Sequence, residues 1–144
     1  MRSIIRKGLA ALALGAGLLA GAAAHAQGWS PVGTWSYSQQ YSSGQAAYAI
    51  IMTLYPNGQL QEYVTTNMGA STYVGQWRFN AQNSTLDMLY QDYNPKQFCN
   101  GGMCYPVPAT LQIGSPYSVP LHVMGQNQME LQDANGPMLY VRQQ

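Results

Sequence analysis

The sequence predicts an all-β protein, an antiparallel up-and-down meander of eight or nine short strands that closes into a small barrel. A β-sandwich is the alternative arrangement. Three observations carry this expectation. Apolar and polar residues alternate with a period of two through most of the chain after residue 27, and helical periodicity is nearly absent there. Clusters of Gly, Asn, Pro and Ser interrupt the alternation at regular spacing. The same region holds all 11 tyrosines, a residue type that fits a pleated, half-buried surface.

The strands are expected in the following order. Val32–Gln40 places Gly33, Trp35 and Tyr37 on one face. Ala46–Tyr55 does the same with Tyr48, Ile50, Met52 and Leu54, and Pro56-Asn57-Gly58 then makes a tight turn. In Gln59–Thr66 the inward parity is ambiguous, because facing Leu60 and Val64 inward takes Glu62 with them, and a carboxylate inside a barrel needs a partner. Thr72–Asn80 aligns Tyr73, Gly75, Trp77 and Phe79, and Thr85–Gln91 aligns Leu86, Met88 and Tyr90. Residues 92–104 read as the longest irregular stretch. Val107, Ala109, Leu111 and Ile113 resume the alternation as an edge or splayed strand, since Pro106 and Pro108 remove ladder donors. Tyr117–Val123, Gln128–Asp133 and Pro137–Arg142 complete the set, the last with Met138, Tyr140 and Arg142 on one parity.

Ahead of the strands, Arg2, Arg6 and Lys7 precede a run of Ala, Leu and Gly, and Ala24-His25-Ala26 supplies small residues for cleavage. Residues 1–26 are therefore expected to be a cleaved signal peptide, leaving Gln27–Gln144 as one exported domain, periplasmic or secreted and without a membrane anchor. The full chain has a formal charge of +1. After cleavage only Arg78, Lys96 and Arg142 stand against Glu62, Asp87, Asp92, Glu130 and Asp133. A nucleic-acid partner is excluded by this balance, because a phosphate-tracking surface needs clustered cations. In an oxidising compartment Cys99 and Cys104 are expected to pair and hold the loop between them.

The ends of the domain carry a family likeness. Gly33-Thr34-Trp35 on the first strand and Arg142 on the last, with a second Gly75-Gln76-Trp77, resemble the calycin group, meaning lipocalins and small exported lipocalin-like proteins of bacteria. The resemblance implies that Gly33, Trp35 and Arg142 form a structural closure, with the indole plugging one barrel end and the guanidinium stacked across it. It further implies a carrier of small ligands if the interior is hollow. Some exported relatives instead inhibit proteases by inserting an N-terminal segment, here Gln27–Pro31 with Trp29.

No catalytic constellation accompanies the fold. His122 is the only histidine after the cleavage site, no Gly-x-Ser-x-Gly elbow exists, and nothing in the spacing brings two carboxylates together. The expectation is a non-enzymatic binding or interaction protein without a cofactor. Its candidate ligand-binding residues are Tyr73, Trp77, Phe79, Tyr48 and Tyr140, which could equally be packed core, and its ligand would be small and apolar or aromatic, entering a barrel end near residues 93–104. The alternative is a protein partner met by the N-terminal segment or the disulfide loop. A lesser one is copper handling by His122 and Met124, two apart on a strand, with Met103 as a third soft ligand.

Overall fold

Alternation of side chains across the pleat makes strands that are apolar on one face only, and such strands are stable once that face is enclosed. The computed structural model describes residues 28–40, 46–67 and 69–144. The signal peptide expected over residues 1–26 lies outside the described residues. Pro31–Gln144 forms one compact unit, and Trp29 falls outside it.

The strands are β1 (Gly33–Gln40), β2 (Ala46–Leu54), β3 (Gln59–Thr66), β4 (Gly69–Asn80), β5 (Thr85–Asn94), β6 (Gln97–Asn100), β7 (Met103–Pro106), β8 (Tyr117–Gly125), β9 (Gln128–Asp133) and β10 (Gly136–Arg142). Eight of them close into a barrel in the order β1-β10-β9-β8-β5-β4-β3-β2, with β6 and β7 apart as a two-stranded hairpin. Every barrel ladder is antiparallel. The arrangement is an up-and-down barrel rather than a sandwich, with the hairpin inserted between its fifth and sixth strands.

Two expectations along the chain are corrected. Residues 92–104 are not irregular: β5 runs on to Asn94, and Cys99 faces Cys104 in the β6–β7 register, joined by a disulfide with Cα atoms 4.0 Å apart. Conversely, Val107–Ile113 forms no strand; only Ile113 makes an isolated bridge, to Tyr90. Pro106, Pro108 and Pro116 fix the backbone and remove ladder donors, so the apolar alternation there finds no strand to pair with.

The core is built from the expected parities. Ile50, Met52 and Leu54 of β2, Leu86 and Met88 of β5, and Met129 and Leu131 of β9 are all buried. Each such side chain contributes about 1.5–3 kcal/mol when fully withdrawn from water. Leu60 and Val64 also point inward, which settles β3 and carries Glu62 into the barrel, where only 3% of it stays exposed.

Trp35 and Arg142 are direct partners in the β1–β10 register. The indole is fully buried and donates from Nε1 to the Pro31 carbonyl at 2.7 Å. The Arg142 guanidinium lies 4.2 Å from the ring centroid and donates from Nη1 to the Val32 carbonyl at 2.5 Å. Stacking of this kind contributes about 1–2 kcal/mol when partly desolvated. Gly33 makes room for it: its φ is +137°, and a Cβ there would sit 2.7 Å from Arg142 Nη1.

Gly75 has a different task. It lies at the register shift between Val74 and Gly75 in the β4–β5 ladder, and a Cβ there would run into the Leu89 carbonyl oxygen, with Tyr90 Cα only 2.9 Å away. Backbone cannot swing aside as a guanidinium can. Gly75→Ala is therefore expected to cost at least about 3 kcal/mol, and Gly33→Ala about 1–3 kcal/mol. In an Arg142→Ala background the Gly33→Ala cost shrinks to its backbone part, and urea unfolding midpoints of the three variants and the double variant measure this.

Candidate ligand-binding cavity

An eight-stranded barrel is just wide enough either to be filled by side chains or to hold one small ligand. Here the interior is not filled, and a cavity of about 420 Å³ remains. That lies within the span of small-molecule sites. Its wall is supplied by Tyr48, Ile50 and Met52 from β2, Glu62 from β3, Met88 and Tyr90 from β5, Tyr117 and Val119 from β8, Leu131 from β9, and Met138 and Tyr140 from β10. Ser118 of β8, Gln132 of β9, Asp133 and Ala134 at the β9–β10 turn, and residues 110–112 complete it.

Glu62 is the buried charged group of the core among the described residues. Tyr90 Oη donates a hydrogen bond to its Oε2, and Tyr117 Oη donates in turn to Tyr90 Oη at 3.4 Å. No protein donor among the described residues reaches Oε1. Burial pushes the carboxyl up to about 7, against which the Tyr90 hydrogen bond works only partly. Burial also pushes the Tyr48 and Tyr117 phenols up to about 12, with the Glu62 charge adding to the effect on both. Tyr90 and Tyr140 are raised well above the ordinary tyrosine value, first by burial and then by Glu62. These phenols are thus hydrogen-bonding groups and not anions in neutral solution.

The segment over residues 107–114 is held to the barrel by tyrosines. Tyr93 Oη donates to the Val107 carbonyl at 2.9 Å. The Thr110 N–H donates to Tyr73 Oη at 2.9 Å, and the two hydroxyls of Thr110 and Tyr73 are 2.8 Å apart. Gly114 N–H donates to the Tyr90 carbonyl at 2.8 Å. Four rings run in sequence beneath it, Tyr93–Tyr73–Tyr90–Tyr117, with centroids 5.7, 5.8 and 5.9 Å apart. An aromatic row of this spacing is stiff and links the segment to the cavity wall.

The candidate ligand residues divide. Tyr48 and Tyr140 lie on the cavity wall, each next to Tyr37, with centroids 6.3 and 5.5 Å from it. Tyr73 is fully buried and stands behind the wall, between Tyr90 and Tyr93. Trp77 and Phe79 lie outside the cavity: Trp77 donates from Nε1 to the Tyr55 carbonyl at 3.0 Å, near the β2–β3 turn, and Phe79 is half-buried opposite Leu86. Parity alone grouped these residues, whereas their height along the barrel separates them. Tyr90, Tyr117 and the cavity role of Glu62 went unassigned in the sequence. The available signal was the acid on an apolar strand face, which demanded a donor.

Residues 93–104 do not line the cavity; Pro95 and Phe98 border a separate groove of about 390 Å³ with Val64, Ala70 and Val107. Phe98, Met103 and Tyr105 of the hairpin are exposed. His122 and Met124 are exposed on β8, where a register shift between Val123 and Gly125 interrupts the alternation. No group of three or more His, Cys, Asp or Glu that could hold a metal occurs among the described residues. The Cys99–Cys104 disulfide is compatible with an oxidising location. Comparison with protein-family models and with curated proteins finds no match.

Glu62 makes stability depend on pH. Its folded pKa lies above its unfolded value of 4.5, so the native state binds more protons between those values and stability falls as pH rises through about 7. The loss is on the order of 3 kcal/mol. Asp87 and Asp92 act in the opposite sense and at lower pH, since hydrogen bonds from Ser118 and Lys96 respectively hold their carboxyls down. Thermal melts from pH 4.5 to 8 should show a falling Tm that flattens in Glu62→Gln.

Proposed function

We propose that this chain is a non-enzymatic, exported, lipocalin-like protein that holds a small apolar or aromatic ligand in its barrel. The observation that carries the reading is the cavity of about 420 Å³, whose wall is chiefly Met, Leu, Ile, Val and Tyr. The Gly33–Trp35–Arg142 closure supports the lipocalin-like kinship. The charged and apolar N-terminal run and the Cys99–Cys104 pair support export. Of the hydroxyl-bearing lining residues, Ser118 donates its hydroxyl to Asp87 Oδ1 at 2.6 Å and Thr110 pairs its own with Tyr73 Oη at 2.8 Å, so the wall is left chiefly apolar and phenolic.

Native mass spectrometry after incubation with a metabolite extract tests this. A small apolar or aromatic species should be retained, and Leu111→Trp, which fills the cavity from a segment outside the barrel strands, should lower its occupancy at least about tenfold. Retention of nothing, or equal retention by the variant, overturns the reading.

A second reading is favoured by the hairpin. Phe98, Met103 and Tyr105 are 60%, 62% and 53% exposed, which suits contact with a protein partner. The double variant Phe98→Ser/Tyr105→Ser should then lose any partner that the parent protein captures from envelope extract, while keeping the parent's melting temperature.

A further inference from the structure

The electrostatics of the cavity are one-sided. Glu62 and Asp133 line it, and among the described lining residues there is no Lys, Arg or His. Among the described residues Glu62 takes a protein donor only at Oε2, which leaves Oε1 of this cavity-lining side chain without a donor from them. Its charge is felt by Tyr48, Tyr90, Tyr117 and Tyr140, so four rings from β2, β5, β8 and β10 surround the same space.

An acid buried at this cost persists where something offsets its desolvation. A phenol does so in part. An ammonium group does more, since it supplies charge and up to three N–H donors at once, and aromatic faces attract it further. Divalent metal ions fit poorly, because they require several oxygen ligands and the buried part of the cavity offers a single carboxylate.

We infer that the ligand is a small organic amine with an apolar or aromatic body, bound as its ammonium ion between Glu62 and the tyrosine rings. This rests on the cavity being the ligand site, as proposed above. The apolar body lies against Ile50, Met52, Met88 and Leu131, and the ammonium donates to Glu62 Oε1. Binding requires the ionised carboxylate. Because the unliganded carboxyl sits at about 7, amine affinity rises with pH up to roughly that value and levels off above it. The titratable groups facing Glu62 are the phenols of Tyr48, Tyr73, Tyr90, Tyr117 and Tyr140, with the Asp133 carboxyl at the rim.

Matched probes separate this inference from the reading beneath it. Phenethylamine against 2-phenylethanol, and hexylamine against 1-hexanol, differ only in the amine, and calorimetric titration of the purified protein at pH 8 gives both affinities. Each amine should bind at least about tenfold tighter than its alcohol, with the preference falling below about twofold in Glu62→Gln and surviving in Asp133→Asn. Between pH 5 and 7 amine affinity should climb by up to about tenfold per pH unit, while alcohol affinity does not rise. Should Glu62→Gln fail to fold, that pH profile of the parent protein decides. Equal affinity for amine and alcohol, or a preference that persists in Glu62→Gln, overturns the amine inference and leaves a neutral-ligand cavity standing. Absence of saturable binding by every probe overturns both.

Discussion

Ring closure is the constraint from which the other features follow. Once β1 pairs with β10, every strand of the barrel has one enclosed face, and the alternation of each strand decides what that face receives. Trp35 and Arg142 hold the seam by stacking, and Gly33 is required because any larger residue would push the guanidinium off its carbonyl. The closure also explains the oddest occupant of the interior. β3 cannot turn Leu60 and Val64 inward while leaving Glu62 outside, so the acid enters with them and must be accommodated.

Accommodation of that acid organises one side of the barrel. Tyr90 meets Glu62, Tyr117 meets Tyr90, and Tyr73 packs edge-on against Tyr90 while holding Thr110. Polar satisfaction of a single carboxylate is thereby tied to the placement of the connection between β7 and β8, which has no strand ladder of its own. In a low-dielectric interior such a network is worth more than its separate bonds, and the carboxylate it satisfies also lines the cavity.

Much of the barrel was legible in the sequence, because a period of two and Asn-Gly turns are local signals. Tyr55 and Gln59 do hydrogen-bond across the Asn57-Gly58 turn, and the inward sets of β2, β5 and β9 follow the alternation. The site was less legible. Tyr73, Trp77 and Phe79 share a parity, but their distances from the cavity depend on register, and the β4–β5 register shifts at Gly75, where a glycine within a strand signals a close backbone approach without fixing the pairing that follows. Val107–Ile113 misled in the opposite way: its alternation was real, yet prolines deprived it of a ladder. Tyr90 and Glu62 are 28 residues apart, and such a pairing is a property of the closed ring and not of either strand.

The hydrogen bond from Arg142 to Val32 spans 110 residues, so the seam joins the first barrel strand to the last. Loop closure of that length carries a large entropic cost that is recovered only when the final strand docks. Until then β1 and β9 each present an unpaired row of amides and carbonyls to their surroundings. A chain that stops short of β10 is consequently left as an open sheet with two adhesive edges, and self-association, rather than simple loss of the cavity, is the fate this topology imposes on it.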